Sequence, residues 1–233
     1  MNNEPLMLAP GLNCTGALYG PQLGPLGEGR ALIIPDHRSH DSLEEMASAA
    51  LAGAPERFAL CGLSMGGYLA LEMFRQAPGR ITRLALLDTS ARGAAEASNA
   101  PRRQMMALAA KGAFDEVMAL LWQKLVAPAR LGDDRLRSLV GTMARETGPE
   151  AFIRQQTAIM GRRDSIAMLG DIAVPTLVLV GADDQITPPE HAEEMARAIP
   201  DAELAVIAGC GHLSTLEAPE ECTRHLLRWL ARG

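Results

Sequence analysis

Three separated stretches hold residue types capable of nucleophilic chemistry. "CGLSMGGYLAL" (61–71) sets Ser64 between Gly62 and Gly66, with Gly67 directly behind. This G-x-S-x-G follows an apolar run, "RFALCG", and precedes a helical pattern, "GGYLALEMFRQAPG". A nucleophile elbow needs that strand-turn-helix context: a strained turn lifts the hydroxyl above the sheet edge, and small flanking residues let strand and helix approach. The backbone N–H of Met65 then points toward a developing oxyanion at the helix N-terminus. A serine needs a base within hydrogen-bond reach, and the base needs an acid to fix its tautomer. Of five histidines, His212 in "AGCGHLSTLEAPEE" is favoured, because it follows the last apolar run in a loop able to reach over a sheet edge. His191 and His225 lie inside helical patterns, and His37 and His40 lie in the early loop "PDHRSHDS". For the acid, "VLVGADDQITPPE" places Asp183 and Asp184 just past a strand end, where open α/β sheets build sites. Asp88, after "LALL", is at another strand end, and all three acids would also suit turns or caps.

Six short aliphatic runs would have to position these residues: "PLMLAPG" (5–11), "RALIIPD" (30–36), "RFALCG" (57–62), "RLALLDT" (83–89), "TLVLVGA" (176–182) and "ELAVIAG" (203–209). Each is nearly all apolar and ends at Gly, Pro or Asp, as strands buried on both faces do. Their spacers suit crossover helices, which gives an α/β fold with a doubly wound, mostly parallel sheet of about six strands. Ser42-Leu43-Glu44-Glu45 fits a capping box, Thr187-Pro188-Pro189-Glu190 fits another with proline at the first helical position, and a last helix begins near Pro219. About 85 residues separate "LALLD" from "TLVLV", far more than one crossover needs. Within them "RRQMMALAAKGAFDEVMALLWQKLV", "RLRSLVGTMARE" and "PEAFIRQQTAIMG" read as helices. The expected organisation is a core of residues 1–90 and 174–233 with a helical insertion over 91–173. That insertion holds six of the 12 methionines, together with Trp122 and Phe152. They would fill its core, or give an adaptable apolar wall over a pocket, with Met118, Trp122 and Met160 as candidate lining residues.

Composition narrows the function classes. The 233 residues are 48% hydrophobic and 21% charged, the balance of a globular chain. A net charge of −6 argues against a nucleic-acid partner, local pairs such as Arg102-Arg103 and Arg162-Arg163 notwithstanding. The first residues, MNNEPLMLAPG, do not read as a signal peptide, and no apolar run approaches the ~18 residues of a bilayer span. The expectation is a cytoplasmic protein with no membrane partner. The four cysteines have neither metal-ligand nor CxxC spacing and suit reduced, buried small hydrophobes. Neither metal nor cofactor is expected, and oligomeric state is not readable. A nucleotide-binding reading ranks low, because the glycines do not fit G-x-G-x-x-G and no Walker A sequence occurs.

Taken together, the serine elbow, the G-x-x-D-x-x-x-P context of 181–188 and the late G-x-G-H of 209–212 resemble the α/β-hydrolase fold superfamily, whose order is Ser…Asp…His. The resemblance runs from Leu6 onward. It implies a catalytic triad of Ser64, Asp184 and His212, with Asp183 as neighbour, and makes the helical insertion a cap. In the family's first-strand loop, His-Gly is followed by a residue that donates a backbone N–H. Here Pro10 replaces the histidine, and Leu12 and Met65 become the oxyanion-hole donors, with Asn13 a candidate lining residue and Cys14 beside it. The family's first two strands have no counterpart, so the sheet is expected to be truncated. In "DHRSHDS", Ser39 replaces a family glycine, and Asp36 and Arg38 read as structural. What the resemblance implies is a serine hydrolase of a small or medium ester, thioester or lactone, acting on a small-molecule acyl substrate. The alternatives are carbon–carbon bond hydrolysis, a lyase like the menaquinone-pathway synthase, or a ligand-binding receptor on the same scaffold. A haloalkane dehalogenase would carry aspartate at position 64.

Overall fold

The computed structural model describes residues 4–232. All six expected strands form: β1 (Leu6–Ala9), β2 (Leu32–Ile33), β3 (Phe58–Leu63), β4 (Ile81–Leu87), β5 (Thr176–Gly181) and β6 (Glu203–Ile207). They make one sheet in the order β2-β1-β3-β4-β5-β6, every pair parallel. The order reverses direction at β1 and β3, which puts the loops after these two strands side by side at the carboxyl edge.

The period-two alternation of the strands divides the core. Met7, Leu60, Leu86 and Val178 face one side, where they meet α2 (Leu43–Ala52), α3 (Met65–Gln76) and α8 (Pro189–Ala198). Leu8, Cys61, Leu87 and Leu179 face the other, packed with α1 (Gly20–Gly27) and α10 (Pro219–Leu230). Helices on both faces explain why the central runs are apolar throughout. The edge strands are different. Leu204 and Val206 of β6 stand 39% and 48% exposed, so that run is covered on one face only.

Between β4 and β5 run α4 (Glu96–Ala110), α5 (Phe114–Leu125), α6 (Asp134–Thr147) and α7 (Pro149–Met160); α8 joins β5 to β6, and α9 (Ser214–Glu217) follows β6. The helical pattern of residues 102–126 covers both α4 and α5. Gly112 divides them, taking a left-handed φ of +83° that ends α4 and turns the chain. The Gly- and Pro-rich α1 was not legible as a helix at all.

Ser42 caps α2 as expected, its hydroxyl accepting the Glu45 N–H at 3.2 Å. Thr187 does not cap α8, whose N-cap is Pro188, and its hydroxyl turns toward Asp184 instead. Across the sheet, Arg83 of β4 binds Glu4 at 2.9 Å and the Arg232 carbonyl at 2.6 Å. Among the described residues no helix is long and apolar enough to cross a membrane.

Candidate active site

Ser64 stands between the last residue of β3 and the first of α3, at φ +56° and ψ −117°. A non-glycine residue at positive φ costs on the order of 1–3 kcal/mol unless its surroundings hold it there. Close packing does the holding. A Cβ on Gly62 would come 2.1 Å from the Gly66 carbonyl oxygen, and one on Gly66 would come 2.0 Å from that of Ala9. The glycines let the start of α3 press against β3 and β1. The Thr89 hydroxyl donates to the Ser64 carbonyl at 2.8 Å and completes the turn.

The loops after β5 and β6 bring the other two residues over this turn. His212 Nε2 lies 2.8 Å from Ser64 Oγ, and Nδ1 lies 2.7 Å from Asp184 Oδ2. An ionised carboxylate only accepts, so the proton on His212 sits at Nδ1 and Nε2 is free to accept from the serine. Asp184 is fixed by the N–H groups of Ile186 and Thr187, at 2.8 and 3.0 Å, and by the Thr187 hydroxyl at 2.9 Å. Burial pushes its carboxyl up, but the His212 charge and these donors outweigh that and hold it below the usual carboxylate range. Burial likewise pushes His212 down, while Asp184, with Asp88 and Glu217 behind it, carries it above the ordinary histidine value. Asp183, the neighbouring candidate, is exposed.

Two further buried carboxyls support the histidine loop, and neither role was legible in the sequence. Asp88 accepts the N–H of Gly181 at 3.0 Å and of Ser214 at 3.2 Å, tying together the loops that carry Asp184 and His212. Burial first, then the nearby Asp184 charge, pushes its own carboxyl up to about 8. Glu217 accepts the N–H of Leu213 at 3.1 Å and of Ala127, in the β4–β5 connection, at 2.8 Å. Its position four residues past Leu213 was visible, but Ala127 is distant in sequence.

The loop after β1 supplies the facing side. Gly11 lies against the turn, where an added Cβ would sit 3.4 Å from Ser64 Cβ. The Asn13 N–H, at φ +58°, is taken by Gln155 Oε1 of α7 at 3.0 Å. Among the described residues no group accepts from the N–H of Leu12 or of Met65. Gln155 also donates to the His37 carbonyl at 3.2 Å, which makes it the strut between this loop and α7. No local pattern around Gln155 would have identified it.

The remaining candidates separate. Met118 Sδ accepts from Asn13 Nδ2 at 3.3 Å, which places it over the β1 loop. Trp122 is buried in the core, its indole N–H donating to the Leu131 carbonyl at 3.1 Å. Met160 is half-buried at the end of α7, with no polar contact to the serine. His37 is buried, with ring nitrogens on the Cys14 and Pro35 carbonyls, and the Asp36–Arg38 loop braces α6 and α7 through the Glu146 carbonyl and Arg154. All four cysteines are free and buried, and among the described residues no three His, Cys, Asp or Glu side chains gather as a metal site.

Comparison with known proteins places the fold in a family. The family model for the alpha/beta hydrolase fold matches residues 35–219. A pimeloyl-[acyl-carrier protein] methyl ester esterase from Aromatoleum aromaticum is 31% identical over 192 residues, covering 78% of this chain and 77% of that protein. A 2-hydroxy-6-oxononadienedioate/2-hydroxy-6-oxononatrienedioate hydrolase from a Pseudomonas species is 26% identical, covering 76% of this chain and 64% of that protein. Among solved structures, a thermophilic esterase from Thermogutta terrifontis superposes with a TM-score of 0.88 at 28% identity, over 97% of this chain and 89% of its own. Sheet order, serine turn and matched length lead to one assignment: the chain belongs to the α/β-hydrolase fold family.

Proposed function

We propose that the protein is a serine hydrolase of small or medium carboxylic esters, with Ser64, His212 and Asp184 as its catalytic residues. The observation that carries this is the unbroken hydrogen-bond chain from Ser64 Oγ to His212 to Asp184, at 2.8 and 2.7 Å. In the reaction, Ser64 Oγ attacks the substrate carbonyl carbon while His212 Nε2 takes the hydroxyl proton. The negative oxygen of the tetrahedral intermediate is stabilised by the Leu12 and Met65 N–H groups, both without another acceptor among the described residues. His212 returns the proton to the departing alkoxide and leaves an acyl-serine. Water, deprotonated by the same nitrogen, then releases the acid.

Residues 91–173 serve as the cap in this reading. Leu12 supports it: its side chain packs both against the cluster holding Tyr68 and Ile159 and against the Ala109–Val117–Phe152 cluster of the β4–β5 helices. The esterase names among the similar proteins support an ester substrate. A fluorophosphonate probe should label the native protein and leave Ser64→Ala unlabelled. Absence of labelling on native protein, or equal labelling of both, would overturn the assignment.

A further inference from the structure

The packing between α3, α4 and α7 leaves several hydrogen-bond donors without acceptors. Arg102 of α4 is half-buried and donates from Nη1 to Gln156 Oε1 of α7 at 2.7 Å. Its Nε is enclosed and unpaired, and so is Nε2 of the fully buried Gln156. Tyr68, buried on α3, has no hydrogen-bond partner for its hydroxyl among the described residues and lies within electrostatic reach of Arg102. The Arg162 guanidinium covers the Tyr68 ring at 4.6 Å and donates to the Ile159, Arg92 and Gly93 carbonyls. Among the described residues no carboxylate comes within 4.0 Å of either arginine.

The chemistry of these groups has one sign. Gln156 Oε1 is already used by Arg102, and the groups left over, Arg102 Nε, Gln156 Nε2 and the Tyr68 hydroxyl, can all donate. Unpaired buried donors cost about 1–3 kcal/mol each, and a guanidinium without a counter-ion costs more. A carboxylate answers all of them: it accepts at two oxygens, matches the flat guanidinium and neutralises its charge. Location ties the group to the reaction. Tyr68 follows Ser64 by one turn of α3, about 6 Å along the axis, its N–H bonding the Ser64 carbonyl at 3.3 Å. Gln156 adjoins Gln155, which holds the loop bearing the Leu12 donor.

We propose that Arg102, the Gln156 amide and the Tyr68 hydroxyl form a carboxylate-binding subsite beside Ser64, so that the preferred acyl group carries an acid at its far end. The substrate class is then the half ester of a short dicarboxylic acid. This rests on the serine-hydrolase reading, but its test reads binding rather than turnover. Titration calorimetry on Ser64→Ala protein compares the monomethyl esters of glutaric to suberic acid with neutral methyl hexanoate. The best half ester should bind at least tenfold tighter than the neutral ester. Adding Arg102→Gln should abolish that preference without lowering affinity for methyl hexanoate, and Arg102→Lys should restore part of it. Equal affinity for charged and neutral esters, absence of half-ester binding, or a preference that survives Arg102→Gln would overturn the subsite. Fluorophosphonate labelling of native Ser64 stands or falls independently of these outcomes.

Discussion

In the proposed reaction, the pairing of His212 with Asp184 sets the pH at which Ser64 is activated. Only neutral imidazole takes the serine proton, and the structure raises the His212 pKa. Activity should therefore climb along a limb centred above about pH 6.5, the ordinary histidine value. Asp184→Asn removes the charge that lifts it. That variant should move the limb to lower pH and cut kcat on the order of 10³–10⁴-fold, because the amide no longer selects the productive tautomer. A pH–rate profile of both proteins checks this, and an unmoved limb contradicts the assignment. At this scale the sequence was most legible where function needs a fixed local spacing. Ser64, Asp184 and His212 each sit in a short motif that also builds their loop. Thr187-Pro188-Pro189-Glu190 has the spacing of a capping box, yet the Thr187 hydroxyl serves the Asp184 carboxylate. Asp88, Gln155 and Glu217 act on backbone groups brought near only by folding, so although Asp88 stood out at a strand end, no pattern within the chain pointed to these bracing roles.

Between residue and fold lie the contacts that let elements approach. The Gly66 site admits no side chain against the Ala9 carbonyl, because both partners there are backbone. Gly66→Ala should cost about 1–3 kcal/mol or more in urea unfolding, whereas Gly79→Ala, with open space around it, should be near neutral. Glu217 performs another joining task, holding the His212 loop to the β4–β5 connection through two backbone N–H groups. Glu217→Gln keeps one good acceptor and turns an amide donor toward the other N–H. It should lose about 1–3 kcal/mol of stability and shift the ascending limb toward lower pH, since its charge also raises His212. A stability loss with an unchanged pH profile would limit Glu217 to bracing. The strands were legible because central strands of a covered parallel sheet must be apolar on both faces. The helices were less so: Gly112 reads as tolerated within a helix until its left-handed φ is seen, and α1 forms from glycines and prolines under tertiary packing.

At the scale of the whole molecule, one parallel sheet brings together residues separated by 148 positions, as between Ser64 and His212. Such non-local pairing delays the assembly of the site until the sheet itself is built. Chain order, however, is not what the sheet records. Arg83 grips Glu4 with one arm of its guanidinium and the Arg232 carbonyl with the other, so the two ends of the described chain meet at a single side chain. Ends this close can be spliced. A circular permutant with a short glycine-serine linker joining them, opened instead at the exposed turn between Lys111 and Gly112, should fold and still take the fluorophosphonate label at Ser64. An unfolded or unlabelled permutant would show that an unbroken path from α4 to α5 is needed. Success would make the order in which the strands are written a matter of history, with the neighbours they keep in the sheet as the working instruction.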